Sequence, residues 1–100
     1  MNEREIIEKV KNNQIEWRGH VLRRMLERNI SRDDVKTALS TGQVIEDYPD
    51  DYPFPSCLVL GYCGEKPLHI VCSIGQDNLW VITVYIPDPN KWENNFKTRR

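Results

Sequence analysis

The stretch LHIVCSIGQDNLWVITVYI, Leu68–Ile86, decides the fold. Two runs rich in β-branched and aromatic residues, Leu68–Ile74 and Leu79–Ile86, flank the turn-forming Gly-Gln-Asp-Asn. Runs of that length around so short a connection predict an antiparallel hairpin. Side chains alternate faces along a strand, so one buried face fixes the register. Placing Ile70, Cys72 and Ile74 beside Trp80, Ile82 and Val84 leaves His69, Val71 and Ser73 with Val81, Thr83 and Tyr85 opposite. That parity asks for a loop of three or five residues and sets His69 across from Thr83 or Tyr85.

Upstream, Cys57–Cys63 forms a third run, joined to the hairpin by Gly-Glu-Lys-Pro, and Gln43–Tyr48 a shorter fourth. Between those two lies a loop with Pro49, Pro53, Pro55, Asp50 and Asp51. By the same alternation Leu58, Leu60 and Tyr62 join the core face, and pairing Leu60 with Ile70 puts Gly61 beside His69. Before Gly42 the period is helical. Ile6, Ile7 and Val10 predict a short amphipathic helix over Glu3–Lys11. Trp17, Val21 and Met25, with Leu22 and Leu26 beside them, predict a second helix over Trp17–Arg28. Ser31 with Asp34 three residues on has the spacing of a capping box and opens a third helix through Val35, Ala38 and Leu39, stopped at Gly42. Pro87 and Pro89 end the last strand, leaving Asn90–Arg100 as a short helix or a tail packed by Trp92 and Phe96. The expectation is an α+β fold, one domain over residues 1–100, with amino-terminal helices followed by a four-stranded antiparallel β-meander. The core pairs Ile70, Cys72, Trp80, Ile82 and Val84 with Trp17, Val21 and Met25.

Composition narrows the class. A hundred residues, 39% apolar and 9% aromatic, carry enough hydrophobic surface for one thin core. The 29% charged residues nearly cancel, to a net charge of -1, which excludes coating nucleic acid by charge alone while permitting a local basic site. No apolar run approaches the roughly 20 residues that span a bilayer, and the amino terminus is charged where a signal peptide is apolar. The expected location is the cytoplasm, with no membrane contact. Three cysteines, Cys57, Cys63 and Cys72, lack paired metal spacing and suit small buried thiols better than a disulfide scaffold, a zinc site or a nucleophile.

Two groups of residues could carry chemistry. His20, Arg24 and Arg28 repeat every four residues along the second helix, and Arg18, Arg23 and Arg32 add to them. Over residues 18–32 five arginines face one glutamate. Guanidinium forks suit phosphate, and a histidine among them moves a proton near neutral pH. The plain alternative is a solvated face paired with Glu27, Asp33 or the Asp47, Asp50, Asp51 region. His69, in an otherwise apolar strand, is either a satisfied structural histidine or, with Thr83 and Tyr85 nearby, part of an acid-base set for a phosphodiester. Tyr85 could equally pack its ring and send its hydroxyl to water. His69 and Cys72 point to opposite faces of a strand, and no third ligand has suitable spacing, so neither metal nor cofactor is expected.

Trp17, His20, Arg24-Met25, Glu27-Arg28 and Ile30-Ser31, then Gly42–Glu46, Pro67-Leu68-His69, and Thr83–Asp88 with Trp92 together resemble the small bacterial proteins catalogued as domain of unknown function 4258. The resemblance spans residues 17 to 92. It implies kinship with toxin ribonucleases of the RelE and barnase-like kind, built from helices before an antiparallel meander. It also implies a cognate antitoxin partner, in some members one with a zinc-binding amino-terminal region like the partner of the MqsR toxin. The expected function is a metal-independent endoribonuclease acting on RNA, including ribosome-associated mRNA. Its assigned residues are His20 or His69 as base, Arg24 and Arg28 on the phosphoryl oxygens, Tyr85 or the second histidine as acid, and Thr83 orienting one of them. The rivals are a non-catalytic interaction module and a structural domain whose two histidines are buried and satisfied. The balanced charge is unlike the basic character of such toxins.

Overall fold

The computed structural model describes residues 1–100. In chain order the elements are α1 (Glu3–Lys11), β1 (Ile15–Trp17), α2 (Val21–Glu27), α3 (Arg32–Ser40), β2 (Gln43–Tyr48), β3 (Ser56–Cys63), β4 (Lys66–Gly75) and β5 (Asn78–Tyr85). The α+β class and the three helices stand as expected. The sheet, however, has five strands in the order β1-β5-β4-β3-β2, and β1 runs parallel to β5, so it is mixed rather than a four-stranded antiparallel meander.

Local chemistry explains the helices. The Asn2 side chain accepts the Glu5 N–H at 3.0 Å, with Glu3 and Glu5 in the first turn of α1 and Lys9 and Lys11 in the last, matching the helix dipole. Ser31 and Asp34 form the reciprocal capping box of α3 at 3.0 and 2.9 Å. The second helix is shorter than its apolar row suggested. Trp17 belongs to β1, where Ile15, Glu16 and Trp17 pair with Leu79, Trp80 and Val81. Three residues of strand leave too little period to be distinguished from a helix start.

The hairpin of β4 and β5 corrects the expected faces. Its connection is a two-residue turn, with Gln76 and Asp77 both at positive φ between the paired Gly75 and Asn78. Ser73 therefore opposes Trp80, and Cys72 opposes Val81. A bulge then leaves Ile82 without a partner before Val71 pairs with Thr83, Ile70 with Val84 and His69 with Tyr85. Trp80 thus shares the His69 face, and the helix-facing residues of β5 are Leu79, Val81 and Val84. In β3 the correction is a slip of one. Leu60 pairs with His69, not Ile70, and Gly61 with Leu68, so Cys57 and Val59 join the core while Leu58 and Leu60 lie on the far face. Tyr62 is exposed rather than in the core. A Cβ on Gly61 would overlap the Ala38 carbonyl, which shows how closely α3 lies on the sheet.

The main core lies between helices and sheet: Ile6, Val21, Met25, Ile30, Val35, Ala38 and Leu39 against Val59, Leu68, Ile70, Cys72, Leu79, Val81 and Val84, with Ile15 and Trp17 at its margin. The rear face carries His69, Val71, Ser73, Thr83 and Tyr85. It is covered in part by residues 86–100, which form an irregular tail with one bridge between Trp92 and Arg99 rather than a helix. No helix is long and apolar enough to cross a membrane.

Candidate functional site

The geometry divides the expected residues into two places. β1 covers the outer edge of β5 only as far as Val81, where the Arg18 N–H donates to the Val81 carbonyl at 3.1 Å. Past that point α2 lies beside the open edge, and a groove of about 250 Å³ forms between them. His20, Val21, Arg24 and Arg28 line one wall and Ile82, Thr83 and Val84 the other. His20 and Arg24 are exposed, as polar residues on the outer turn of a half-buried helix should be. Arg28 is fixed: its Nη1 donates to the Val84 carbonyl at 2.6 Å, a short charge-assisted bond. No salt bridge engages the arginines of this groove. The alternative pairing with Glu27, Asp33 or the acidic loop is not formed, and no carboxylate neutralises Arg24 or Arg28.

His69 and Tyr85 are elsewhere. His69 is wholly buried on the rear face. Its Nε2–H donates to the Phe96 carbonyl at 2.8 Å, and because a carbonyl can only accept, Nδ1 must accept the Tyr85 hydroxyl at 3.1 Å. Trp92 stands edge-on to the imidazole with ring centroids 4.4 Å apart. Burial holds the imidazole below its ordinary titration range and the Tyr85 phenol above its own. Around this pair lies a cluster the sequence reading did not single out. Glu46 accepts from Tyr48 at 2.6 Å and takes the Arg99 fork through both oxygens at 2.9 and 3.1 Å, while Arg99 lies 4.6 Å over the Trp92 ring. Arg99 holds the Glu46 carboxyl below its usual range, and burial together with Glu46 pushes Tyr48 up to about 12. Alternation along β2 put Glu46 and Tyr48 on one face and could have marked them. Nothing in the spacing announced that Phe96 and Arg99 would return to meet them.

Of the six candidate residues, then, His20, Arg24, Arg28 and Thr83 share the groove, while His69 is sealed on the rear face and Tyr85, half-buried, stands beside it. His69 and Cys72 face opposite sides of β4, and no group of three or more His, Cys, Asp or Glu side chains is gathered as metal ligands would be. All three cysteines are free; Cys57 and Cys72 are buried with sulfurs 4.0 Å apart, and Cys63 donates to Asp34 at 3.1 Å.

A small α+β domain with a cationic groove at a sheet edge is the class these observations define. Within it, the family model described as "Domain of unknown function (DUF4258)" matches residues 17–86, and the chain belongs to that family. No curated protein and no solved structure matches it. The matched span holds the groove, His69 and Tyr85, and ends before the tail that covers them.

Proposed function

We propose that this protein is a metal-independent endoribonuclease, the toxin half of a toxin-antitoxin pair, working from the groove between α2 and β5. The observation that carries the reading is the gathering of His20, Arg24 and Arg28 in one groove with no carboxylate paired to them. His20 takes the proton of a 2′-hydroxyl, whose oxygen bonds to the adjacent phosphorus as the bond from phosphorus to the 5′-oxygen breaks. Arg24 and Arg28 stabilise the charge gathering on the phosphoryl oxygens, Arg28 from a position its bond to Val84 has already set. The departing 5′-oxygen takes a proton from water in the open groove, and the His20 imidazolium returns its own to solvent. The products are a 2′,3′-cyclic phosphate and a 5′-hydroxyl. His69 could serve as the acid only with the tail lifted from it, and Tyr85, whose hydroxyl is engaged by His69, lies outside the groove. The antitoxin partner and the mRNA substrate rest on the resemblance to RelE and barnase-like toxins.

The sealed His69 favours the second reading, a non-catalytic interaction module in which the groove binds and does not cut. One experiment separates the two. Purified protein is incubated with RNA in the presence of a chelator, and the fragment ends are mapped. The enzyme predicts cleavage that survives chelation, leaves cyclic phosphate ends and stops when the 2′-hydroxyl at the cut is replaced by hydrogen. His20→Ala and Arg24→Ala should each slow it by about 10²-fold or more with thermal unfolding unchanged. RNA that is bound yet left whole would decide for the module.

A further inference from the structure

A second cavity, of about 350 Å³, adjoins the groove. The two share Ile82, the unpaired bulge residue of β5, and Arg18 and His20, two residues apart in the chain, stand one in each. We infer that this cavity receives a nucleobase of the single-stranded RNA whose phosphate lies in the groove, a site that rests on the reading of RNA as ligand. Its walls have the required chemistry. Trp80, Phe54 and Tyr52 supply aromatic surface, and Asp51, Ser73 and Gln76 supply hydrogen-bonding groups in its lining.

The surface is built rather than incidental. The Trp80 indole N–H donates to the Gly75 carbonyl at 3.0 Å, which fixes the ring against the hairpin turn. Phe54 packs on Gly75 so closely that any side chain there would strike its ring. The Ser56 hydroxyl donates to Asp51 and anchors that carboxylate. Arg18 sits 6.0 Å from the Trp80 ring centroid, a cation beside the stacking surface. Tyr52, in contrast, is 94% exposed, a large ring held out in water with nothing of this chain against it. Aromatic platforms beside a cationic track are how proteins hold single strands, because every base has a π-face whatever its sequence.

The test is a titration of the whole protein with a nucleoside monophosphate, a trinucleotide of RNA and ribose 5-phosphate, followed by calorimetry and tryptophan emission. Both nucleotide ligands should bind and quench the emission, the trinucleotide at least as tightly as the monophosphate, and ribose phosphate, which engages the groove alone, should bind more weakly and leave the emission unchanged. Tyr52→Ala, which removes no packing, should weaken nucleotide binding by about 5- to 100-fold. Trp80→Phe should abolish the quenching with circular dichroism unchanged. Ribose phosphate binding as tightly as the nucleotides, or unchanged binding by Tyr52→Ala, would overturn the site; a trinucleotide excluded while the monophosphate binds would overturn its assignment to a strand. The outcomes remain separable from those for cleavage. Base binding without cutting sinks only the enzyme, and cutting unaffected by Tyr52→Ala and Trp80→Phe sinks only the base site.

Discussion

His69 uses both ring nitrogens inside the chain, one on a tyrosine and one on a tail carbonyl, and this makes its protonation an event of folding. Its folded form is kept neutral by burial, so the unfolded chain binds the proton first as pH falls. Stability should be full above the ordinary imidazole range near pH 6.5 and decline below it. His69→Gln should cost about 1–3 kcal/mol, since it leaves a buried partner unmatched, and should flatten the melting temperature between about pH 7 and 5. Thermal unfolding across that range checks both. The sequence could pose the choice between structural and catalytic histidine but could not settle it, because the deciding atom, the Phe96 carbonyl, lies 27 residues away on a segment without regular structure. His20 was the easier case. A histidine four residues before an arginine on an amphipathic helix declares its exposed side by spacing alone.

Among the elements, hydrophobic pattern gave the strands and helices but not the parity between them. Alternation across the hairpin is kept by an odd loop or broken by a bulge, and the chain combines a two-residue turn with an extra Ile82. Gln76 and Asp77 at positive φ lack the glycine or asparagine that usually marks such a turn, and a bulge in a run of β-branched residues has no signature. β1 was invisible for another reason: parallel pairing to a distant strand leaves no local trace in Ile-Glu-Trp. The contact of α3 with the sheet can be tested at Gly61. Gly61→Ala presses a methyl onto the rigid Ala38 carbonyl and should cost about 1–3 kcal/mol in chemical denaturation, whereas Gly19→Ala, with open space around it, should change stability by no more than about 0.5 kcal/mol.

The molecule as a whole keeps its charge near zero while gathering cations at one edge, and that same edge is the end of a sheet. Beyond Val81 the outer edge of β5, the side away from β4, has no neighbouring strand, and an unpaired strand edge is a template on which another chain can hydrogen-bond. Arg28 occupies the Val84 carbonyl that such a strand would use. It therefore fills one acceptor position of that open edge, and a guard role against self-association is the prediction that follows. Arg28→Ala should form dimers and larger species at concentrations where the parent and Arg24→Ala stay monomeric, as light scattering would show. Persistence of the monomer in Arg28→Ala would remove the guard role. Fibre-like growth in that variant would mean that one guanidinium both keeps the protein from polymerising and holds the groove in shape, so that solubility and ligand binding constrain the same residue.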